Sequence, residues 1–250
     1  MKASDLSGFF LRSLFIMASL NFTRMQNLGF AYAILPLARP AEGEGRVPPA
    51  FLLRHLEYFN THPYLSAAIL GATIRLEEGQ GRAGQDQEGD HPATKLKKAL
   101  MAPYAAIGDN FFSGSLRPLA GIAAAVLAYG GVVWAPLLFL LIFTPLHLWI
   151  RIRGFLEGYR RDWQGFEFIQ SWKLPRLAVH LRRISLVLLS AATACLAVTV
   201  HDTVAGNWPR SVSGAAVLTA VLLSHYAVRR GLSPLLILYG MTAVCLVIMV

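Results

Sequence analysis

The sequence predicts an all-α integral membrane protein: amphipathic and broken or re-entrant helices at the N-terminal end, then about four to five transmembrane helices. Three observations carry this. Of 250 residues, 55% are hydrophobic and only 15% charged, with a mean hydropathy of +0.48; soluble domains carry about 25% charged residues. The second half holds repeated apolar runs of near-spanning length. No segment shows the period-2 alternation of a half-buried strand, and in lipid a helix satisfies its own backbone.

Taken in order, the chain divides into residues 1–117, polar-motif-rich, and residues 118–250, a region of transmembrane helices. The opening "MKASDLSGFFLRSLFIMASLNF" is interrupted by Arg12, which argues against a signal peptide and for an amphipathic helix on a membrane or on partner helices. "RPAEGEGRVPPA" (39–50) and "EEGQGRAGQDQEGDHP" (77–92) are polar connectors. Between them, 51–78 reads as a helix broken at Pro63, and Ala67, Ala68, Gly71 and Ala72 form a small-residue surface suited to close helix packing. The run 118–150 exceeds one straight span, and Gly130, Gly131 and Pro136 predict a tight helical hairpin within it, with one long broken helix as the alternative. Runs at 184–200, 213–228 and 234–250 follow, each about 17 residues, near the lower limit for a hydrocarbon core.

The net charge of +9 comes from basic residues placed between apolar spans, with no nucleic-acid-binding module. Eight Lys and Arg residues fall in a loop expected at 151–183, which positive-inside places in the cytoplasm, with the C-terminus outside. Cys195 and Cys245 lie in apolar runs and read as buried small hydrophobes. Nucleophile elbow, zinc-protease, P-loop and dinucleotide signatures are all missing, and the histidines lack metal-site spacing, so no catalysis, metal or cofactor is expected.

Three polar clusters interrupt the apolar background. The first holds Asn21, Thr23, Arg24, Gln26 and Asn27. The second is "YFNTHPY", with Asn60, Thr61 and His62. The third is "APYAAIGDNFFSGSLRP", with Asp109, Asn110, Ser113 and Arg117. Pro103, Gly108, Gly114 and Pro118 predict a short or re-entrant helix around the third. Each cluster also has a plainer reading: Asp109 capping a helix that starts at Asn110, residues 60–62 satisfying loose carbonyls before Pro63, Arg24 and Arg117 pairing with lipid phosphates. As a set, amides, hydroxyls, an imidazole and one carboxylate suit sugar hydroxyls, each of which donates and accepts.

On the stretches "NFTRMQNLGFAYAILP" (21–36), "LLRHLEYFNTHPYLSAAILGATIRLEE" (52–78), "KKALMAPYAAIGDNFFSGSLRPL" (97–119), "HLWIRIRGFLEGY" (147–159) and "RRGLSPLLILYG" (229–240), the chain resembles the IID subunits of mannose/fructose/sorbose-type bacterial phosphotransferase systems. The stretch 160–183 has no counterpart in that resemblance. It implies a multi-pass subunit of the bacterial inner membrane that pairs with a IIC subunit in a hetero-oligomer. The pair would take up a hexose while cytoplasmic IIA and IIB proteins supply the phosphoryl group; the phosphorylated residues belong to those proteins, so this chain would be non-catalytic. Asn60, Thr61, His62, Asp109 and Asn110 are the candidate substrate-binding residues; Asn21, Arg24, Gln26 and Arg117 are candidates for a partner or structural motif. The alternative is a non-transporting regulatory membrane protein derived from IID.

Overall fold

The structure, a computed structural model, describes residues 3–38, 47–80 and 91–204 and scattered positions between 215 and 243. Regular structure among the described residues is helical, joined by turns and irregular chain with two isolated β-bridges. Two compact units divide at Leu188/Leu189. The boundary expected at 117/118 instead falls inside a continuous helix in the first unit.

The N-terminal helix α1 (Ala3–Ser13) is shorter than the opening apolar stretch. Phe9 and Ile16 are buried, and the chain beyond Ser13 runs in turns to Gln26, leaving Phe15, Met17, Leu20 and Phe22 exposed. Helix α2 (Asn27–Ile34) follows. The helix expected up to Pro63 stops eight residues early: α3 covers Pro49–His55 and α4 covers Ser66–Gln80. The first polar cluster captures the backbone between them. Asn27 Nδ2 and Arg24 Nη1 donate to the Leu56 carbonyl at 2.8 and 3.2 Å.

Helix α4 packs on α7 (Ala135–Arg161) through the expected small-residue surface. A Cβ on Gly71 would lie 2.2 Å from the Phe155 carbonyl oxygen, and one on Gly158 would lie 2.2 Å from that of Ala68. Glycine at both positions is what lets the two backbones meet.

The third cluster is not a short or re-entrant helix. Helix α5 (Pro92–Gly108), a π-helical segment (Asp109–Leu116) and α6 (Arg117–Tyr129) form one continuous helix of 38 residues. The wider π turn absorbs the irregularity that the glycines signalled, and Ser115 Oγ donates to the carbonyl of Asn110, five residues back. Pro118 lies inside this continuous helix, just after the π segment. The expected hairpin is present: α6 ends at Tyr129, Gly131 adopts a left-handed φ of 84°, and α7 opens with Pro136 in its first turn.

The segment 151–183 is no loop. Helix α7 continues to Arg161, the chain turns at Asp162 (φ 41°) through a 3₁₀ turn (Asp162–Gln164) into α8 (Gly165–Ser171), and turns again at Lys173 (φ 50°) into α9 (Leu174–Val204). Past Pro175, α9 contains neither glycine nor proline, so it takes in Arg182 and Arg183 without interruption. Among the described residues, two helical stretches are long and apolar enough to cross a membrane, Pro92–Tyr129 and Ala135–Gln164.

In the second unit, Thr219 and Ser224 back-bond to carbonyls four residues earlier, and the chain turns at Gly231 (φ 89°). Most of the runs 213–228 and 234–250, and Cys245, lie outside the described residues. Cys195 is exposed on α9 rather than a core residue. Leu186, Val187, Leu189 and Leu196 on the same helix are exposed as well.

Candidate functional site

The first two polar clusters are joined along their length. Gln26 Nε2 donates to the Thr61 carbonyl at 2.7 Å, and Gln26 Oε1 accepts from Thr61 N at 3.2 Å. The primary amide thus pairs with the Thr61 backbone as a second peptide group would. Around it, Gln26 N donates to the Phe59 carbonyl at 2.8 Å and Phe59 N to that of Arg24 at 3.3 Å. Asn21 Nδ2 donates to Asn27 Oδ1 at 2.9 Å, and Asn21 Oδ1 accepts from Arg24 N at 2.8 Å. Asn21, Arg24, Gln26 and Asn27 therefore build a frame; the "YFNTHPY" backbone is what they hold. Asn60 is half-buried, and its N–H points at Met101 Sδ, 3.4 Å away.

The frame presents His62 to the third cluster. Its ring stacks on Phe112 with centroids 5.0 Å apart and planes 12° from parallel. A Cβ on Gly108 would lie 2.3 Å from His62 Cβ and Cγ, so the glycine admits the ring against the helix. Tyr64 continues the stack, edge-on to Phe112 at 4.9 Å and face-on to His147 at 4.5 Å. Burial lowers the His62 pKa to about 4; Asp109 opposes that shift and Arg117 adds to it. The imidazole is neutral at pH 7. Its Nδ1 accepts from Tyr64 N at 3.4 Å, which leaves the proton on Nε2 as a donor.

Asp109 does not cap a helix: its backbone is helical (φ −62°, ψ −43°) at the junction of α5 and the π segment, and its side chain is exposed. Arg117 is exposed, with its guanidinium 5.5 Å from the Phe143 ring centre. Two polar atoms in this neighbourhood, Thr61 Oγ1 and Asn110 Oδ1, are buried with no hydrogen-bond partner among the described residues. Buried polar groups are ordinarily partnered, so these two carry unused hydrogen-bonding capacity one residue from His62 and two from Gly108. Such a set of donors and acceptors can bind a polyhydroxy compound but offers no activated nucleophile.

A second polar group was not legible in the sequence. Glu77 forms an ion pair with Arg54, whose Nε lies 3.1 Å from its carboxylate, and accepts from His55 Nε2 at 3.0 Å. The His55 contact is a hydrogen bond from a neutral ring, because burial, with Lys97, Arg54 and His91 adding to it, holds His55 well below the usual histidine range. His91 Nδ1 lies 3.7 Å from the same oxygen but accepts from Ala93 N at 3.1 Å, so that nitrogen caps α5 instead. The buried Lys97 ammonium donates to the Arg54 carbonyl and lies 5.3 Å from the Phe30 ring centre. These residues are spread from 54 to 97 with no regular spacing, so nothing local signalled the group.

The whole chain, residues 1–250, matches the family described as PTS system mannose/fructose/sorbose family IID component. The chain belongs to that family. The match includes 160–183, which sequence reasoning had left without a counterpart. Among IID relatives, the Fructose permease IID component of Bacillus subtilis (strain 168) is 30% identical over 256 residues, covering 94% of this chain and 91% of that one. The PTS system mannose-specific EIID component of Escherichia coli (strain K12) is 38% identical over 161 residues, 63% of this chain and 56% of that one. A solved structure described as the cryoEM structure of mannose transporter ManYZ in complex with microcin E492 has 28% identity and a TM-score of 0.59, covering 99% of this chain and 96% of that one. A second, described as a membrane protein, gives a TM-score of 0.72 at 28% identity, covering 98% and 96%. The IID chain is thus a membrane component of a phosphotransferase permease.

Proposed function

We propose that this IID chain pairs with a IIC subunit in the bacterial inner membrane, crossing it four to five times with residues 151–183 on the cytoplasmic side, and that the pair takes up a hexose that cytoplasmic IIA and IIB proteins phosphorylate. The chain itself supplies no catalytic group. The observation that carries the reading is the convergence at His62: a backbone segment held by Gln26 sets a neutral imidazole against a π-helical turn bearing Asp109 and Asn110, with Thr61 Oγ1 and Asn110 Oδ1 left unpaired. The likeness to a mannose transporter supports the same reading. Asn60, Thr61, His62, Asp109 and Asn110 then face the sugar path, and Asn21, Arg24 and Gln26 hold the framework.

The test is Asp109→Asn in the copurified IIC–IID pair. With the capping role removed by the helical backbone at 109, the substitution keeps size and loses only charge and acceptor strength. A charge-assisted bond to a hydroxyl is worth roughly 1.5–3 kcal/mol, so sugar affinity should fall by about tenfold to a hundredfold with assembly intact. Unchanged affinity and uptake in the assembled pair would remove Asp109 from the site.

A further inference from the structure

The end of α7 carries a set of cations that the proposed sugar site does not use. On this helix Trp149, Ile152, Arg153, Leu156 and Arg160 recur at spacings that put them on one face. Trp149 and Ile152 are exposed, and the side chains of Arg153 and Arg160 are 43% and 64% exposed. Toward the other end of the helix the exposed side chains are Leu137, Leu140, Leu141 and Leu148. The helix surface therefore passes from aliphatic to aromatic to cationic within a few turns.

The cations are held in place. Glu157, with 5% of its side chain exposed, pairs with Arg161 Nε at 2.9 Å and lies 3.7 Å from both Arg153 Nη2 and Arg160 Nη1. Three guanidinium groups meet one carboxylate, an excess of two positive charges. Each guanidinium has five N–H donors, more than a shared carboxylate can accept. Beside them, the crosspiece between the turns at Asp162 and Lys173 carries a tryptophan near each end. Trp163 is exposed, and Trp172 lies against Trp149 with ring centroids 5.2 Å apart.

We infer that Arg153 and Arg160, steadied by Glu157, form a binding site for the phosphate of an anionic phospholipid whose acyl chains lie along Trp149, Ile152 and the leucines below them. Tryptophan marks the depth at which a bilayer passes from hydrocarbon to headgroup, and arginine's planar fork fits phosphate oxygens. A soluble phosphorylated protein would match the charges but would leave the adjoining apolar stripe without a counterpart; a lipid matches both. Arg161 stays with the carboxylate, so the excess charge rests on the other two.

The full-length chain, with the membrane subunit that copurifies, is placed in nanodiscs of phosphatidylcholine or of phosphatidylcholine doped with phosphatidylglycerol. Lipid retained after delipidation is counted by native mass spectrometry. The wild type should retain phosphatidylglycerol in preference to phosphatidylcholine, and the preference should weaken with salt. Arg153→Gln/Arg160→Gln leaves the Arg161–Glu157 pair intact; it should lower phosphatidylglycerol affinity on the order of thirtyfold, since each basic residue near the surface is worth about 1 kcal/mol. Arg153→Lys/Arg160→Lys, which keeps the charge, guards against misfolding as the cause: it should retain part of the preference. Equal retention of the two lipids by wild type overturns the inference, as does a double glutamine variant with undiminished preference. So does a variant that keeps its lipid while losing a phosphorylated soluble protein.

Discussion

Helices α4 and α7 pack against each other but meet opposite surroundings. Every residue from 65 to 74 is buried, along most of one apolar helix of 15 residues. On α7, with 27 residues, the buried residues include Phe143, Ile150, Gly154, Phe155 and Gly158, while Leu137, Leu140, Leu141 and Leu148 are exposed. At 1.5 Å per residue α4 spans about 22 Å, short of a hydrocarbon core of about 30 Å, whereas α7 spans about 40 Å. Hydropathy alone reads both as apolar. Length and all-round burial separate a helix insulated by protein from one long and apolar enough to cross a membrane with its outer face uncovered, and the polar frame sits at the insulated helix.

The contact between them should be the most sensitive place in the molecule. Gly71→Val and Gly158→Val each place a branched side chain where a single Cβ already falls 2.2 Å from backbone oxygen. Neither neighbour is a side chain that can rotate away, so the helices must separate. A loss at or above the upper end of about 1–3 kcal/mol for overpacking is expected, read as collapse of the thermal transition or of membrane-inserted yield. Gly121→Ala on α6, where an added Cβ meets nothing within 4 Å, is the control. Stability equal to that control would break the contrast between the helices.

This contact was legible in the sequence on one side only. Ala67, Ala68, Gly71 and Ala72 stood out as a small-residue surface, while Gly154 and Gly158 were hidden in a segment assigned to a loop because it is basic. The hairpin was legible because Gly130, Gly131 and Pro136 act locally. The π segment was not: glycine and proline at 103–118 signal departure from α geometry without saying whether a helix breaks or widens. The three polar clusters were visible as residues, but their division of labour was not. Which amide clamps a backbone and which faces outward depends on a contact between Gln26 and Thr61, 35 positions apart.

Gln26 provides the next effect. Gln26→Ala strands both the N–H and the carbonyl of the buried Thr61, at about 1–3 kcal/mol each if left unsatisfied. The expected result is a destabilised chain with reduced uptake, while Gln26→Glu, which keeps an acceptor but loses the donor, should fall between. Wild-type melting in the alanine variant would mean that the frame contributes nothing to holding 56–62.

Acid should expose the same insulated region. His62, lowered by burial to about 4, and His55, well below the usual range, both take up protons more readily in the unfolded chain, where the ordinary value is about 6.5. Between pH 6.5 and 4 the unfolded state therefore binds more protons, and stability falls as pH falls, by at most about 1.4 kcal/mol per pH unit for each histidine. His62→Gln should remove its share of that slope and leave the part due to His55. Parallel pH profiles for wild type and variant would show that His62 is protonated as easily in the folded chain as in the unfolded one.

The smallest effect is expected on the outer face of α7. Leu141 is 69% exposed, whereas Phe155, on the same helix, is buried against α4 and α1. If the outer face meets lipid, Leu141 exchanges few protein contacts for alkyl contacts of similar strength, and Leu141→Ala leaves no internal cavity. Its effect should stay within about 0.5 kcal/mol. Phe155→Ala removes a ring packed 5.7 Å from that of Phe10 and should cost about 3–5 kcal/mol through lost burial and the cavity left behind. The pair is measured as the shift in thermal midpoint in the same lipid environment. The leucine variant also reports on what covers α7: a loss of 2 kcal/mol or more, the range for truncating a buried leucine, would place a tightly packed protein partner there in place of lipid.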